Sequence, residues 1–190
     1  MTVWNAAAVR AAFPALSLTD EGVTSYRIID KAGDFGGTWY WNTYPGAACD
    51  IGSHLYSFSF KRNHEWTKTY AGHEEILEYL RTCMHEESLY AKTRLSTPIE
   101  SAAYDDASCT WTLTTGAGER LEFDVVIFGC GQLNEPKRPD IPGLDDFQGR
   151  MFHSARWDHG YDLAGKRVAV IGSAAPKIVD RIETPRHPDK

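Results

Sequence analysis

Asp34-Phe-Gly-Gly-Thr-Trp-Tyr-Trp-Asn-Thr-Tyr-Pro-Gly-Ala-Ala-Cys-Asp50 is the stretch whose reading decides the fold. It has neither helical nor strand periodicity, and it belongs to a longer run of that kind, Gly33 to Tyr56. Irregular segments of that length are uncommon unless they have a task. Gly36 and Gly37 carry no Cβ, so backbone there can come close to a ligand. Trp39, Tyr40, Trp41 and Tyr44 present flat apolar faces to an aromatic ring, and Asp50 closes the stretch with a charge. The same composition also suits a structural Gly/Pro turn packed with aromatics.

Upstream, Tyr26-Arg-Ile-Ile-Asp30 reads as a short buried strand ending in an acid. Asn5–Phe13 suggests a short helix with Asn5 as N-cap and Pro14 as its end. Downstream, His73–Glu87 carries Ile76, Leu77, Leu80, Cys83 and Met84 on one helical face. A β pattern follows: Arg94–Thr97, Glu100–Tyr104, Thr110–Thr115, a Gly116-Ala-Gly118 turn and Arg120–Phe128. The run Asp124–Phe128 is apolar on both faces, as expected of a strand entering a covered parallel sheet. A connector rich in proline and glycine leads to Lys166–Gly172, a further expected strand, and Ala174–Lys190 is expected to fray. The order predicts an α/β fold: an FAD/NAD(P)-binding, Rossmann-like parallel sheet with a small antiparallel β insert, truncated. The expected domains are residues 1–135, a linker 136–165 and the start of a second nucleotide domain, 166–190.

The 190 residues carry a net charge of −6. That balance argues against a nucleic-acid partner, which requires a basic surface, and against an anionic membrane surface. No stretch is long and apolar enough to span a bilayer, so a cytoplasmic protein is expected. Cys49, Cys83, Cys109 and Cys130 form no C-x-x-C pair and read as reduced thiols. The seven histidines show no ligand spacing, so no metal site is expected.

A second motif lies in the connector: Phe147-x-Gly149-x-x-x-His153-x-x-x-Trp157-Asp158. By itself His153 suits an ordinary hydrogen-bonded structural role as well as a functional one. Together the two motifs resemble those of Baeyer–Villiger monooxygenases. The likeness runs from about Gly22 to Gly172 and includes Ser53–Phe60 and the Cys130-Gly131…Pro142-Gly143 connector.

The resemblance implies FAD and NADP as cofactors and a small-molecule ketone as substrate. NADPH reduces the flavin, which activates oxygen, and the ketone becomes an ester or lactone. By the same resemblance Asp30 meets the adenosine ribose of FAD, and Ile99 the adenine. Thr38, Trp39, Tyr40 and Trp41 wall the flavin ring, with Gly36 and Gly37 beside them and Tyr56 as a further contact. Asp50 stands next to flavin and nicotinamide as the catalytic acid that orients an arginine. Ala48 and Cys49 touch the nicotinamide cofactor, and Gly172 opens the second nucleotide fingerprint. Phe147, Gly149, His153, Trp157 and Asp158 are linker residues that couple cofactor binding to movement.

The chain departs from that family in two places. Ala6–Ala12, where a G-x-G-x-x-G loop belongs, holds no glycine, and the second fingerprint has Ala174 and Lys177 at small-residue positions. The expectation is therefore an incomplete monooxygenase, lacking the first Gly-rich loop and the C-terminal catalytic part. The alternatives are a non-catalytic binding module, one half of a split flavoprotein completed by a partner chain, and another flavin-dependent, N- or S-oxidising monooxygenase.

Overall fold

The computed structural model describes residues 2–6, 15, 17–131 and 136–172. It is an α/β arrangement of two sheets. Strands β1 (Thr2–Ala6), β2 (Tyr26–Ile29), β3 (Thr93–Arg94) and β7 (Val125–Gly129) form a parallel sheet in the order β3-β2-β1-β7. Strands β4 (Ile99–Asp105), β5 (Thr110–Thr115) and β6 (Arg120–Phe123) form an antiparallel one. The two helices that matter are α1 (Thr38–Trp41) and α2 (His73–Glu86). The chain divides into two compact units, Met1–Trp41 with Ile76–Glu135, and Asn42–Glu75 with Pro136–Lys190.

Local chemistry explains most elements. In α2, Ile76, Leu80, Cys83 and Met84 are buried at helical spacing, while Glu74 and Glu75 in the first turn and His85 in the last complement the helix dipole. β2 buries Ile28 and Ile29, which suits a strand paired on both sides. Ile29, Leu113 and Phe123 form one core cluster, with Ile99, Trp111, Leu121 and Val126 packed against it. That cluster joins the parallel sheet to the antiparallel one, each buried side chain contributing about 1.5–3 kcal/mol.

Several expectations need correction. Asn5 caps no helix: it lies in β1, in register with Ile29 and Phe128, because β-sheet pairing overrides the helical propensity of the alanines beside it. Residues 7–13 of that expected helix lie outside the described ones. Beyond Pro14, Ala15 and residues 17–20 are helical. The expected strand Arg94–Thr97 is only Thr93–Arg94, since Ser96 turns the chain with a φ of +49°. Arg120–Phe128 is two strands in two sheets, divided at Asp124. β7 is parallel as expected but not covered: Val125, Ile127 and Phe128 are exposed. Lys166–Gly172 belongs to no strand, and Val168, Val170 and Ile171 are exposed. Alternating valines give propensity, but a strand needs a neighbour for its ladder, and none of the described strands pairs with it. The expected frayed end, Ala174–Lys190, lies outside the described residues.

Candidate functional site

The unit built on the parallel sheet holds Asp30, the glycine pair and Ile99. Asp30 follows the last residue of β2 and is 4% exposed. Its Oδ1 accepts the Ala32 N–H at 2.8 Å, while Oδ2 is buried with no partner among the described residues. Burial raises the carboxyl from 3.8 to about 6, against the opposing pull of the Ala32 N–H and the Lys31 charge. An unpaired buried carboxylate oxygen costs about 1–3 kcal/mol or more, so it is an acceptor waiting for donors. The backbone C=O of Asp30 accepts the Thr97 N–H at 2.8 Å. The structure thereby sets Thr97-Pro98-Ile99 beside Asp30, although the two are far apart in sequence. Ile99 itself is half-buried and pairs with Thr115.

The loop after Asp30 is pinned by Asp34. Its Oδ1 accepts from Tyr90 Oη at 2.8 Å and from the Phe35 N–H at 2.7 Å, and its Oδ2 lies 2.8 Å from Arg81 Nε. Phe35 is fully buried, edge-on to Tyr90 with ring centroids 4.9 Å apart. Desolvation first, then the Asp34 carboxylate, pushes the Tyr90 phenol up to about 12. Sequence reading missed this group, because nothing local pairs Asp34 with residues 81 and 90.

Gly36 and Gly37 have φ values of +137° and +52°, and their carbonyls accept the first N–H bonds of α1. A Cβ on Gly36 would lie 2.3 Å from Leu77 Cδ1 and 3.0 Å from Tyr40 Cβ. The missing side chain at Gly36 thus makes room for Leu77 and Tyr40 to pack against the backbone. In α1, Trp39 is buried, Thr38, Tyr40 and Trp41 are half-buried, and the rings of Tyr40 and Trp41 meet edge-on at 5.0 Å.

The other unit holds Ala48, Cys49, Asp50 and Tyr56. Ala48 bridges Gly72, the Cys49 N–H donates to Ala71 O at 3.0 Å, and the His73 N–H donates to Ala47 O at 2.9 Å. Cys49 is buried, and desolvation raises its thiol above the ordinary value. The Asp50 side chain is exposed, and Tyr56 is half-buried at the end of the 3-10 turn Ser53–Leu55. Ser53, given no role from the sequence, fixes this region: its Oγ lies 2.8 Å from Lys68 O and accepts the Ala71 N–H at 2.8 Å.

The Phe147–Asp158 motif folds on itself. Gly149 leaves room for the Phe147 ring, since a Cβ there would sit 2.4 Å from Phe147 Cζ. His153 Nδ1 accepts the Ala155 N–H at 3.1 Å and so caps the 3-10 turn Ser154–Arg156. Trp157 meets Phe152 edge-on at 5.1 Å. Asp158 binds Arg150 through Oδ2, 3.1 Å from Nε and 2.6 Å from Nη2, and its Oδ1 accepts the Gly160 N–H. Arg150 is the partner that motif reading missed; an arginine eight residues before an acid was the available signal. Gly172 has a φ of +122°, with open space where a Cβ would stand. Alanine at Gly149 is expected to cost less than about 1 kcal/mol, because the Phe147 ring is 60% exposed and can swing away. A thermal melt checks this.

Among the described residues no group of three or more His, Cys, Asp or Glu could hold a metal ion, and no helix is long and apolar enough to cross a membrane.

Residues 26–181 match the family model of flavin-binding monooxygenase-like proteins. A Baeyer–Villiger monooxygenase of Streptomyces coelicolor is 48% identical over 164 residues, 86% of this chain and 31% of that protein. The crystal structure of cyclohexanone monooxygenase from Rhodococcus sp. Phi1 bound to NADP+ superposes with a TM-score of 0.81 at 40% identity, over 90% of this chain and 33% of that one. The OTEMO complex with FAD and NADP gives a TM-score of 0.82 at 31% identity, over 91% of this chain and 34% of that one. The chain thus spans about a third of the length of these relatives. The family match covers both units of the fold and both motifs, and the chain belongs to the flavin-binding monooxygenase-like family.

Proposed function

We propose that these residues form the flavin-side part of a Baeyer–Villiger monooxygenase that uses FAD and NADPH to oxygenate a small ketone to an ester or lactone in the cytoplasm. The observation that carries this reading is the Asp30 carboxylate. It stands at the end of a parallel strand, buried, with one oxygen free to accept ribose hydroxyls. When bound, FAD would take a hydride from NADPH and activate oxygen. The chain's own residues bind and orient. Thr97–Ile99 would meet the adenine beside Asp30. Thr38–Trp41, pinned behind Asp34, would shield the ring system from water. Ala48 and Cys49, fixed by their bonds to residues 71 and 72, would offer backbone to the nicotinamide, and Gly172 the open backbone of a second nucleotide site. The exposed Asp50 would orient a cation, and His153 and Trp157 would relay cofactor binding through the linker. The residues this reaction requires beyond these are proposed to lie outside the 190-residue chain, so turnover by the chain alone is not expected.

The test is a visible spectrum of the purified chain after addition of FAD and gel filtration. A flavin band that travels with the protein is expected. Colourless protein would overturn the reading. Supplying the remaining two thirds of a relative as a separate polypeptide should then give NADPH oxidation with cyclohexanone. Oxidation with an amine or a sulfide but not with ketones would move the chain to the N- or S-oxidising branch.

A further inference from the structure

Thr43 and Tyr44 follow α1 after Asn42 and belong to the same compact unit as the Phe147–Asp158 motif. Both reach across to it. Thr43 Oγ1 lies 2.8 Å from His159 Nε2, a hydrogen bond spanning 116 residues of sequence. The Tyr44 ring, 1% exposed, lies 6.5 Å from that of Trp157 at a 54° tilt. Trp157 also meets Phe152, whose ring lies 6.4 Å from that of Tyr161. Trp157, Asp158 and His159 are thus each tied down: to Tyr44, to Arg150 and to Thr43. Three residues after Tyr44 comes the stretch anchored to residues 71–73 through Ala47, Ala48 and Cys49. A short rigid path of chain therefore runs from Ala48–Cys49 to two side chains that grip the end of the motif.

We propose that Thr43 and Tyr44 are positioning residues: a clip that couples the Ala48–Asp50 loop to the Phe147–Tyr161 loop, so that a ligand seated on the first orders the second. The clip is a matter of geometry and stands without a ligand; its function as a relay rests on the nicotinamide reading above. Neither Thr43 nor Tyr44 touches the reacting atoms. The hydroxyl of Thr43 serves by holding the His159 ring. Tyr44 serves through its ring, because its buried Oη has no partner among the described residues.

Hydrogen exchange read by mass spectrometry on the full chain, with and without NADP+, tests both parts. Without ligand, Thr43→Val and His159→Leu should each raise exchange in residues 152–161 severalfold, and the double variant should raise it no further than either alone. Thr43→Ser and Tyr44→Phe, which keep the hydroxyl and the ring respectively, should match the parent chain. With NADP+, the parent should gain protection at both 47–50 and 152–161. Thr43→Val should gain it at 47–50 only, a response that a merely structural residue would not separate. Exchange in Thr43→Val equal to the parent's, or additive effects in the double variant, would overturn the clip. Protection of 152–161 by NADP+ undiminished in Thr43→Val would overturn the relay. If NADP+ protects neither segment of the parent, the nicotinamide reading fails and the relay with it, while the ligand-free comparison still decides the clip.

Discussion

Between pH 7.5 and pH 5 the affinity of the chain for FAD is expected to fall about tenfold, and Asp30 is the reason. Burial holds its carboxyl at about 6 in the folded chain, against 3.8 in the unfolded one. Ribose hydroxyls donate, so they bind the carboxylate in preference to the acid, and binding is linked to loss of the proton. Below pH 6 each unit weakens binding by about a factor of ten; above 7 the curve is flat. The free chain shows the opposite trend. For an acid whose folded value is raised, stability is full below the unfolded value and is lost as pH rises through the folded one. Asp30 should therefore cost the free chain about 3 kcal/mol between pH 4 and pH 6. FAD should offset that cost, so the rise in melting temperature on adding FAD grows with pH. Asp30→Asn removes the charge: affinity at pH 7.5 should fall about 10–100-fold, the worth of one or two charged hydrogen bonds, and the pH dependence should vanish. Fluorescence titration of FAD at several pH values reads the affinities, and thermal melts with and without FAD read the stabilities. A parent chain whose affinity does not change with pH would sink the assignment of Asp30 to the ribose.

Asp30 also shows what sequence alone can reveal. An acid closing a run of Tyr26-Arg-Ile-Ile is legible as the end of a buried strand, and so is the amphipathic face of α2, because both signals are local and periodic. The orphaned oxygen of Asp30 was not legible, since it depends on what fails to approach it. The Asp34–Arg81–Tyr90 group and the Thr43–His159 bond were hidden for a related reason: their partners lie tens of residues away, and only the fold decides that they meet. Asn5 and Ala6 were misread because they take their conformation from the strands on either side of β1 rather than from their own neighbours. β7 and Lys166–Gly172 were misread in the reverse direction. Their patterns speak of covered strands, yet a pattern states what a segment would do beside a neighbour, not whether the neighbour is there. The Phe147–Asp158 motif was found by its spacing, but the reason for the spacing, a ring over a glycine, a histidine cap and an acid holding Arg150, is legible only in three dimensions.

Gly36 has a packing reason to be glycine whatever ligand it meets, and that reason has a measurable consequence. Were the glycine there only to admit a ligand, alanine would weaken FAD binding and leave the fold intact. The geometry says otherwise. A φ of +137° is one that an L side chain rarely adopts, which costs about 1–3 kcal/mol. The new Cβ would also stand 2.3 Å from Leu77 Cδ1, and 3.0 and 3.2 Å from Tyr40 Cβ and N. Leu77 can turn away, being half-buried, but the Tyr40 backbone is inside α1 and cannot. Overpacking adds about 1–3 kcal/mol. Gly36→Ala should therefore destabilise the chain by about 3 kcal/mol or more, a fall in melting temperature of roughly 10 °C for a chain of this size. Gly149→Ala, whose clash is with an exposed ring, should leave the melt nearly unchanged. Leu77→Ala in the Gly36→Ala background should recover part of the loss, since it removes the nearest atom and leaves the φ strain. A Gly36→Ala chain that melts with the parent would mean that α1 can shift, and that the glycine serves the ligand after all.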